Sequence, residues 1–287
     1  MKPTTYSIQQ VSEITGLSKQ VIRKWEDRYH IIQPQRLDNG YRIYTDNEIK
    51  ILQQLIKLTN TGMTIKQAIN NYLEQRTPSQ INPIFQFREA LIQAGTNANE
   101  HEILHILEQA HHKFGVEKMI SQIVIPFLHE VGRLWCEKVW GEYQEAISSQ
   151  TVRDFLSNVR RRFFVAEDAP LVIGSCLPGE RHEIPMQILL IQCMLRGYRT
   201  IMLGPSPAES AIESAVQLKG PDIVLLTGST EIAFTEHLEN IQTLEKFALE
   251  HPHISFFIGG AGSESYYDQL QLHAIKLSRT IQDILPD

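Results

Sequence analysis

The 287-residue sequence predicts a multidomain chain of the α and α/β classes. It is read as an N-terminal winged helix-turn-helix, a middle four-helix bundle and a C-terminal doubly wound parallel sheet of the Rossmann-like or flavodoxin-like kind. Three observations predict this. Two short helical patterns split by a glycine turn, then a strand, Asn-Gly, strand signal, open the chain. A long stretch over 84–164 repeats apolar residues at the helical period. From residue 171 onward short apolar strands alternate with amphipathic helices. The expected domains are 1–76, 88–167 and 168–287, with a linker at 77–87 where Pro78 and Pro83 fall among polar residues.

Composition sets outer limits. At 42% hydrophobic and 21% charged residues the chain is that of an ordinary globular protein. No apolar run reaches the roughly 18 residues of a membrane span, and Met1-Lys2-Pro3-Thr4-Thr5 lacks the apolar core of a signal peptide. A cytoplasmic protein with no membrane partner is therefore expected. Cys136, Cys176 and Cys193 form no Cys-x-x-Cys pair, which argues against a disulfide framework or a thiolate zinc site. Charge is uneven: residues 1–76 hold 11 Lys and Arg against 7 Asp and Glu, a net of +4, so the whole-chain value of −6 leaves −10 for 77–287. A basic head on an acidic body is expected when only the head touches a polyanion.

In the head, Ser7 is placed to cap a helix with apolar Ile8, Val11 and Ile14. Thr15-Gly16-Leu17 ends it. Ser18 can cap a second helix that turns Val21, Ile22 and Trp25 inward and leaves Lys19, Gln20, Arg23, Lys24 and Arg28 outside. That pair is a helix-turn-helix reader. Asn39-Gly40 between two short strand-like runs predicts a hairpin wing that carries Arg36 and Arg42 to phosphates, with Tyr41 beside them.

These residues resemble the MerR family of transcription regulators, on Ile22-Arg23-Lys24-Trp25-Glu26-Asp27-Arg28-Tyr29, Gln33-Pro34-Gln35-Arg36 and Gly40-Tyr41-Arg42-Ile43-Tyr44. The resemblance spans nearly all of 5–75. It implies double-stranded operator DNA as partner, contacts from Ser18, Lys19, Gln20, Arg23, Lys24, Arg28, Arg36, Tyr41 and Arg42, and a homo-oligomer, dimer or tetramer.

The bundle pattern includes Ile120, Ile123, Val124, Phe127, Leu128, Val131, Leu134 and Trp135, and Pro126 inside it predicts a kink. In the sheet domain, strands are expected over 171–176, 200–203, 223–226 and 254–258, and helices near 183–195, 208–218 and 231–249. Ligands in such folds bind beyond the carboxyl ends of the strands, so the loops at 177–185, 227–230 and 259–263 should line one crevice.

The first of those loops, Glu180-Arg181-His182-Glu183-Ile184-Pro185, resembles the Asp/Glu-x-His-x-x-Gly loop of cobalamin-binding domains. There the histidine displaces the cofactor's own base and ligates cobalt from below. Thr227-Gly228-Ser229 follows after 41 residues, where that family has Ser-x-Leu, and Gly259-Gly260 after a further 29. Light-sensing MerR-type cobalamin regulators carry Trp-x9-Glu-His in the bundle; here Trp135 is followed after nine residues by Glu145 and then Ala146. The resemblance implies cobalamin, as adenosylcobalamin, held by Trp135, Glu145, Glu180, His182, Thr227, Ser229, Gly259 and Gly260, with His182 on cobalt. Imidazole suits such a metal, a carboxylate orients the ring through its other nitrogen, and glycines admit the nucleotide tail. Pro185 stands in place of the family's glycine and fixes the backbone there. Cys136 follows the tryptophan where adduct-forming members have histidine; a thiol buried at that point would have a raised pKa and be a poor ligand.

Other clusters carry less. His101 and His105, with His111-His112, lack companion carboxylate or cysteine ligands and read as a solvated helix face. Trp135 taken alone reads as a core residue. No nucleophile elbow, phosphate loop or paired-carboxylate site occurs, and no enzyme is expected. The expected function is a repressor that senses adenosylcobalamin and light: a dark, cofactor-bound tetramer on a promoter, released when the cobalt–carbon bond is photolysed. Two alternatives are a cobalamin-independent MerR-like regulator whose C-terminal domains bind a partner protein or another ligand, and the corrinoid carrier of a methyltransferase.

Overall fold

The computed structural model describes residues 5–29, 31–32, 34–36, 41–74, 83–208 and 210–285. The chain divides into two compact units, Met1–Glu89 and Ala90–Asp287.

In the first unit, β1 (Thr5–Ser7) leads into α1 (Ile8–Thr15), whose cap is reciprocal: the Ser7 side chain accepts from the Gln10 N–H and the Gln10 side chain accepts from the Ser7 N–H. Gly16 closes the helix in the left-handed region at φ 75°. Then come α2 (Lys19–Tyr29), β2 (Gln35–Arg36), β3 (Arg42–Thr45), α3 (Asp46–Asn60) and α4 (Ile65–Glu74). The wing is the antiparallel pair β2 and β3, with Arg36 opposite Arg42. Its expected turn, Asn39-Gly40, lies outside the described residues. The sequence had not shown β1, which adds to the other edge of β3. Val11, Ile22, Trp25, Tyr44, Leu52 and Leu55 form the core of this unit.

Of the linker expected over 77–87, residues 77–82 lie outside the described residues and 83–87 are helical, in α5 (Pro83–Thr96). Pro83 was read as a breaker but is the first helical residue, where its missing N–H costs nothing. Phe85 packs into the core of the head.

The second unit opens with the rest of α5, then α6 (Glu100–Met119), a π-helical turn Ile120–Val124, α7 (Ile125–Cys136) and α8 (Glu142–Arg162). Ile103, Leu107, Met119, Ile123, Phe127 and Leu156 are buried. The irregularity expected at Pro126 takes the form of that π turn just before it: the Ile125 N–H reaches back five residues to the Ile120 carbonyl. A proline cannot make the next helical bond, so the wider turn absorbs the mismatch. A second break, unforeseen, is Gly115 inside α6, at φ 73° and ψ 167°.

The sheet follows as β4 (Leu171–Cys176), α9 (Ile184–Leu195), β5 (Arg199–Gly204), α10 (Ala211–Lys219), β6 (Ile223–Thr227), α11 (Ile232–Thr235), α12 (Leu238–Glu250), β7 (Ser255–Gly259), α13 (Ala261–Leu270), β8 (Ile275–Leu277) and α14 (Ile281–Ile284). All five strands are parallel in the order β5-β4-β6-β7-β8. This is the flavodoxin-like doubly wound order, and the chain reverses direction of growth between β4 and β6. Alternate residues pack on opposite faces: Ile173, Val224, Leu226, Phe256 and Ile258 against α10 to α12, and Val172, Leu225 and Phe257 against α9 and α14. Two buried faces explain why the strands read as unbroken apolar runs. Among the described residues, no helix is long and apolar enough to cross a membrane.

Candidate functional site

Two surfaces carry the residues singled out in the sequence, one in each unit. In the head, Lys19, Gln20, Arg23, Lys24 and Arg28 are exposed along α2 while Ile22 and Trp25 are buried, as the periodicity predicts. Ser18 caps the helix, its hydroxyl oxygen accepting from the Val21 N–H at 3.3 Å. Tyr41 is 70% exposed on the wing. For Arg36 only the backbone position in β2 is described.

Arg42 differs from the expectation of a wing cation extended to phosphate. Its Nε donates to both Glu26 carboxylate oxygens at 2.8 and 2.9 Å, and its side chain is only 20% exposed. The Tyr44 hydroxyl donates to the same carboxylate. Arg42 therefore ties the wing to the reader helix. Arg42→Ala strips the cation from a largely buried carboxylate and is expected to lower the head's stability by about 1–3 kcal/mol as well as operator affinity. Arg23→Ala, on the exposed face, should weaken binding and flatten its salt slope by about one unit without moving the melting temperature. Melting curves and salt titrations of the two variants check this; identical behaviour would refute the distinction.

The second surface is a cleft of ≈ 1240 Å³ between the bundle and the carboxyl ends of the strands. That exceeds the roughly 300–1,000 Å³ of ordinary small-molecule sites. The three loops expected at the crevice all reach it, through Arg181, His182, Thr227, Ser229, Gly259 and Gly260. Trp135 and Glu145 line the bundle wall, so the helical and sheet residues predicted separately meet in one space. Trp135 is 50% exposed, which removes the reading of it as a core residue.

Glu180 organises the sheet side. It is fully buried, and its two oxygens divide the work. Oε1 accepts from the His182 N–H at 2.8 Å and from His182 Nδ1 at 2.6 Å. Oε2 accepts from the backbone N–H groups of Ser229 and Thr230 at 2.6 and 2.7 Å and from the Thr230 hydroxyl. Burial pushes this carboxyl up, but the hydrogen bonds from His182 and Thr230 win and hold it at about 2. An ionised carboxylate can only accept, so Nδ1 carries the proton and neutral His182 keeps its lone pair on Nε2. The His182 side chain is 63% exposed, and Nε2 has no hydrogen-bond partner among the described residues. The bond to Glu180 raises the imidazole pKa, burial opposes it, and Glu145 across the cleft adds to the rise.

An imidazole with one nitrogen held by a carboxylate and the other open is the donor arrangement that a first-row transition metal takes. The residues present fit cobalt in a corrinoid.

Three departures from the family pattern acquire physical readings. Pro185 is the second residue of α9, where a helix tolerates proline, so it leaves the loop's backbone unstrained. The Thr227 hydroxyl donates to Cys176 Sγ at 3.6 Å, so it braces β4 behind the cleft. Cys136 is exposed on the cleft wall, so the condition of a buried thiol is not met there. The thiols pushed up by burial are Cys176, to about 11, and Cys193, to about 12. The glycines also have a second role. An added Cβ at Gly259 would stand 2.8 Å from the Ser278 carbonyl oxygen, and one at Gly260, where φ is 104°, 2.7 Å from that of Gly228. Three backbone loops crowd together here, and only glycine permits it.

Sequence reasoning missed His129, which is exposed on the same helix as Trp135 and lines the cleft, and the turn Ser278-Arg279-Thr280 at its other end. The His101, His105 and His111-His112 set joins no metal-holding group among the described residues. His111 and His112 stack on each other, and His105 pairs with Gln109.

Comparisons with known proteins agree with this geometry. Residues 6–75 match the family described as MerR HTH family regulatory protein. Residues 87–159 match the B12 binding domain family. The chain is 26% identical over 292 residues to the HTH-type transcriptional repressor CarH of Myxococcus xanthus, with 96% of each chain covered. It is 26% identical over 226 residues to the HTH-type transcriptional repressor CarA of the same organism, covering 78% of this chain and 76% of that one. Among solved structures, the monomethylamine corrinoid protein of Methanosarcina barkeri superposes with a TM-score of 0.56 at 15% identity, covering 69% of this chain and 94% of that one, a likeness of fold. A basic reader helix, a wing, and a cleft with an open, carboxylate-held imidazole thus sit in one chain with these relatives: the protein is a DNA-binding transcription regulator with a MerR-type head over residues 6–75 and a cobalamin-binding module.

Proposed function

We propose that the protein is a repressor that senses adenosylcobalamin, and light through it, by changing how its copies assemble and how tightly they hold operator DNA. The observation that carries this reading is the open Nε2 of His182, oriented by Glu180, facing a cleft whose opposite wall holds Trp135 and Glu145. When bound, the cofactor supplies a cobalt centre with a light-labile carbon ligand. His182 would hold the cobalt, and Glu180 would keep the imidazole in the ligating tautomer. Trp135, with its exposed ring, and Glu145, which accepts from the Ser149 hydroxyl at 2.7 Å, would enclose the group from the bundle wall. Both of these residues sit on the bundle, so the state of the bound group would be felt by the bundle helices that carry them.

The switch needs only different operator affinities in two assembly states, each favoured by one state of the cleft. A dimeric or tetrameric arrangement of heads on repeated half-sites supplies that difference. Size-exclusion chromatography of the full chain with adenosylcobalamin, in the dark and after green light, tests the reading. The expected result is a larger, coloured assembly in the dark that becomes smaller on illumination. A colourless protein, or one whose size ignores both cofactor and light, would overturn it.

With Cys136 in place of the family's histidine, the illuminated form should exchange its upper ligand with added imidazole. A spectrum inert to imidazole would show that a protein group already holds that place, and among the described residues His129 is the imidazole on the bundle wall.

A further inference from the structure

The cleft continues past His182 to Gly259, Gly260 and the turn between β8 and α14, where Ser278, Arg279 and Thr280 reach it. The turn is built: the Arg279 and Thr280 N–H groups both donate to the Asp283 carboxylate at 2.8 Å, and the Ser278 N–H donates to the Ile258 carbonyl at 2.8 Å. The Arg279 guanidinium itself is barely engaged. Its nearest carboxylate oxygen, on Glu264, is 3.9 Å away, and the two side chains are 67% and 47% exposed. A contact of that length between exposed groups is weak and leaves the cation available.

The other cations on the cleft wall are differently placed. Arg153 is held between Asp154 at 3.2 Å and Glu183 at 3.4 Å, and Arg196 donates to the Gln192 carbonyl at 3.2 Å. Arg181 adjoins the proposed metal ligand in the chain.

If His182 ligates cobalt, the cofactor's own base is displaced and its nucleotide tail has to be housed elsewhere in the cleft, whose sheet-side lining past His182 is Gly259, Gly260 and the 278–280 turn. That tail carries one phosphodiester anion, and an anion in a protein cleft needs a cation or several N–H donors. We propose that Arg279 binds this phosphodiester and makes the site select complete cobalamins over corrinoids that lack the tail. A planar guanidinium matches two phosphate oxygens at once. Glu264 is the partner it leaves on binding. The proposal rests on the cobalamin reading above and extends it to a residue outside the loops that carry that reading.

The test is a dark absorbance titration of wild type, Arg279→Ala and Arg279→Lys with adenosylcobalamin and with adenosylcobinamide, which has the same ring and no nucleotide. Wild type should prefer the complete cofactor. Arg279→Ala should weaken adenosylcobalamin about 10- to 100-fold, the range of one charge-assisted contact, and leave adenosylcobinamide unchanged. Arg279→Lys should recover part of the loss, and added salt should erode the preference. Unchanged adenosylcobalamin affinity in Arg279→Ala, or equal losses for both ligands, would overturn the role of Arg279 alone. Wild type retaining neither ligand would overturn the cobalamin reading and this assignment with it.

Discussion

Alanine in place of His182 is expected to abolish retention of cobalamin through gel filtration while leaving the fold intact. The side chain is 63% exposed, so its removal opens no cavity. Glu180 keeps the His182 N–H and the Ser229 and Thr230 donors, so the loops stay tied. What disappears is the one imidazole nitrogen the loop offers to a metal. A melting curve within about 1 °C of wild type and a colourless protein after incubation with adenosylcobalamin are the expected pair. Equal colour in mutant and wild type would mean the cofactor is held without His182.

Substitution of Glu180 should do more damage, because it removes structure and ligand orientation together. Among the described residues, Oε1 accepts only from His182 and Oε2 only from the 229–230 segment. Gln is therefore no conservative replacement: whichever way its amide turns, an NH2 group faces donors. Both Glu180→Gln and Glu180→Ala leave part-buried N–H groups unpaired. The expected cost is about 3 kcal/mol, or roughly 6–12 °C in the melting temperature of a unit of this size. Cofactor affinity should fall at least tenfold even where the protein remains folded, since His182 loses its fixed tautomer. The check is calorimetry alongside a cobalamin titration. A Gln variant with wild-type melting and affinity would show that the network is dispensable.

Much of this was legible in the sequence, for reasons that can be named. Strands buried on both faces leave apolar runs, so β4, β6 and β7 were placed to within a residue. The reader helix followed from its charged and apolar faces. The site loops were readable because Glu180 and His182 are two residues apart and because strand ends in such a sheet converge.

What was hidden depends on distant parts of the chain. At three residues, β8 leaves too short a pattern to see, and with it went the turn that brings Arg279 to the cleft. His129 looks like any solvated helical histidine until the sheet domain is set opposite it. Whether the thiol of Cys136 is buried depends on where its helix ends, and it ends α7 on the open wall. Gly259 and Gly260 were assigned to the ligand alone, and only the folded chain shows the Ser278 and Gly228 carbonyls pressing on them.

Whether the state of the cleft controls the hold on DNA is read from the operator affinity of the full chain in the dark without cofactor, in the dark with adenosylcobalamin, and after green light, with His182→Ala measured in parallel. Wild type should bind tightly only in the dark with cofactor, and His182→Ala weakly and equally in all three conditions. Wild-type affinity that stays the same across the three conditions would contradict that control.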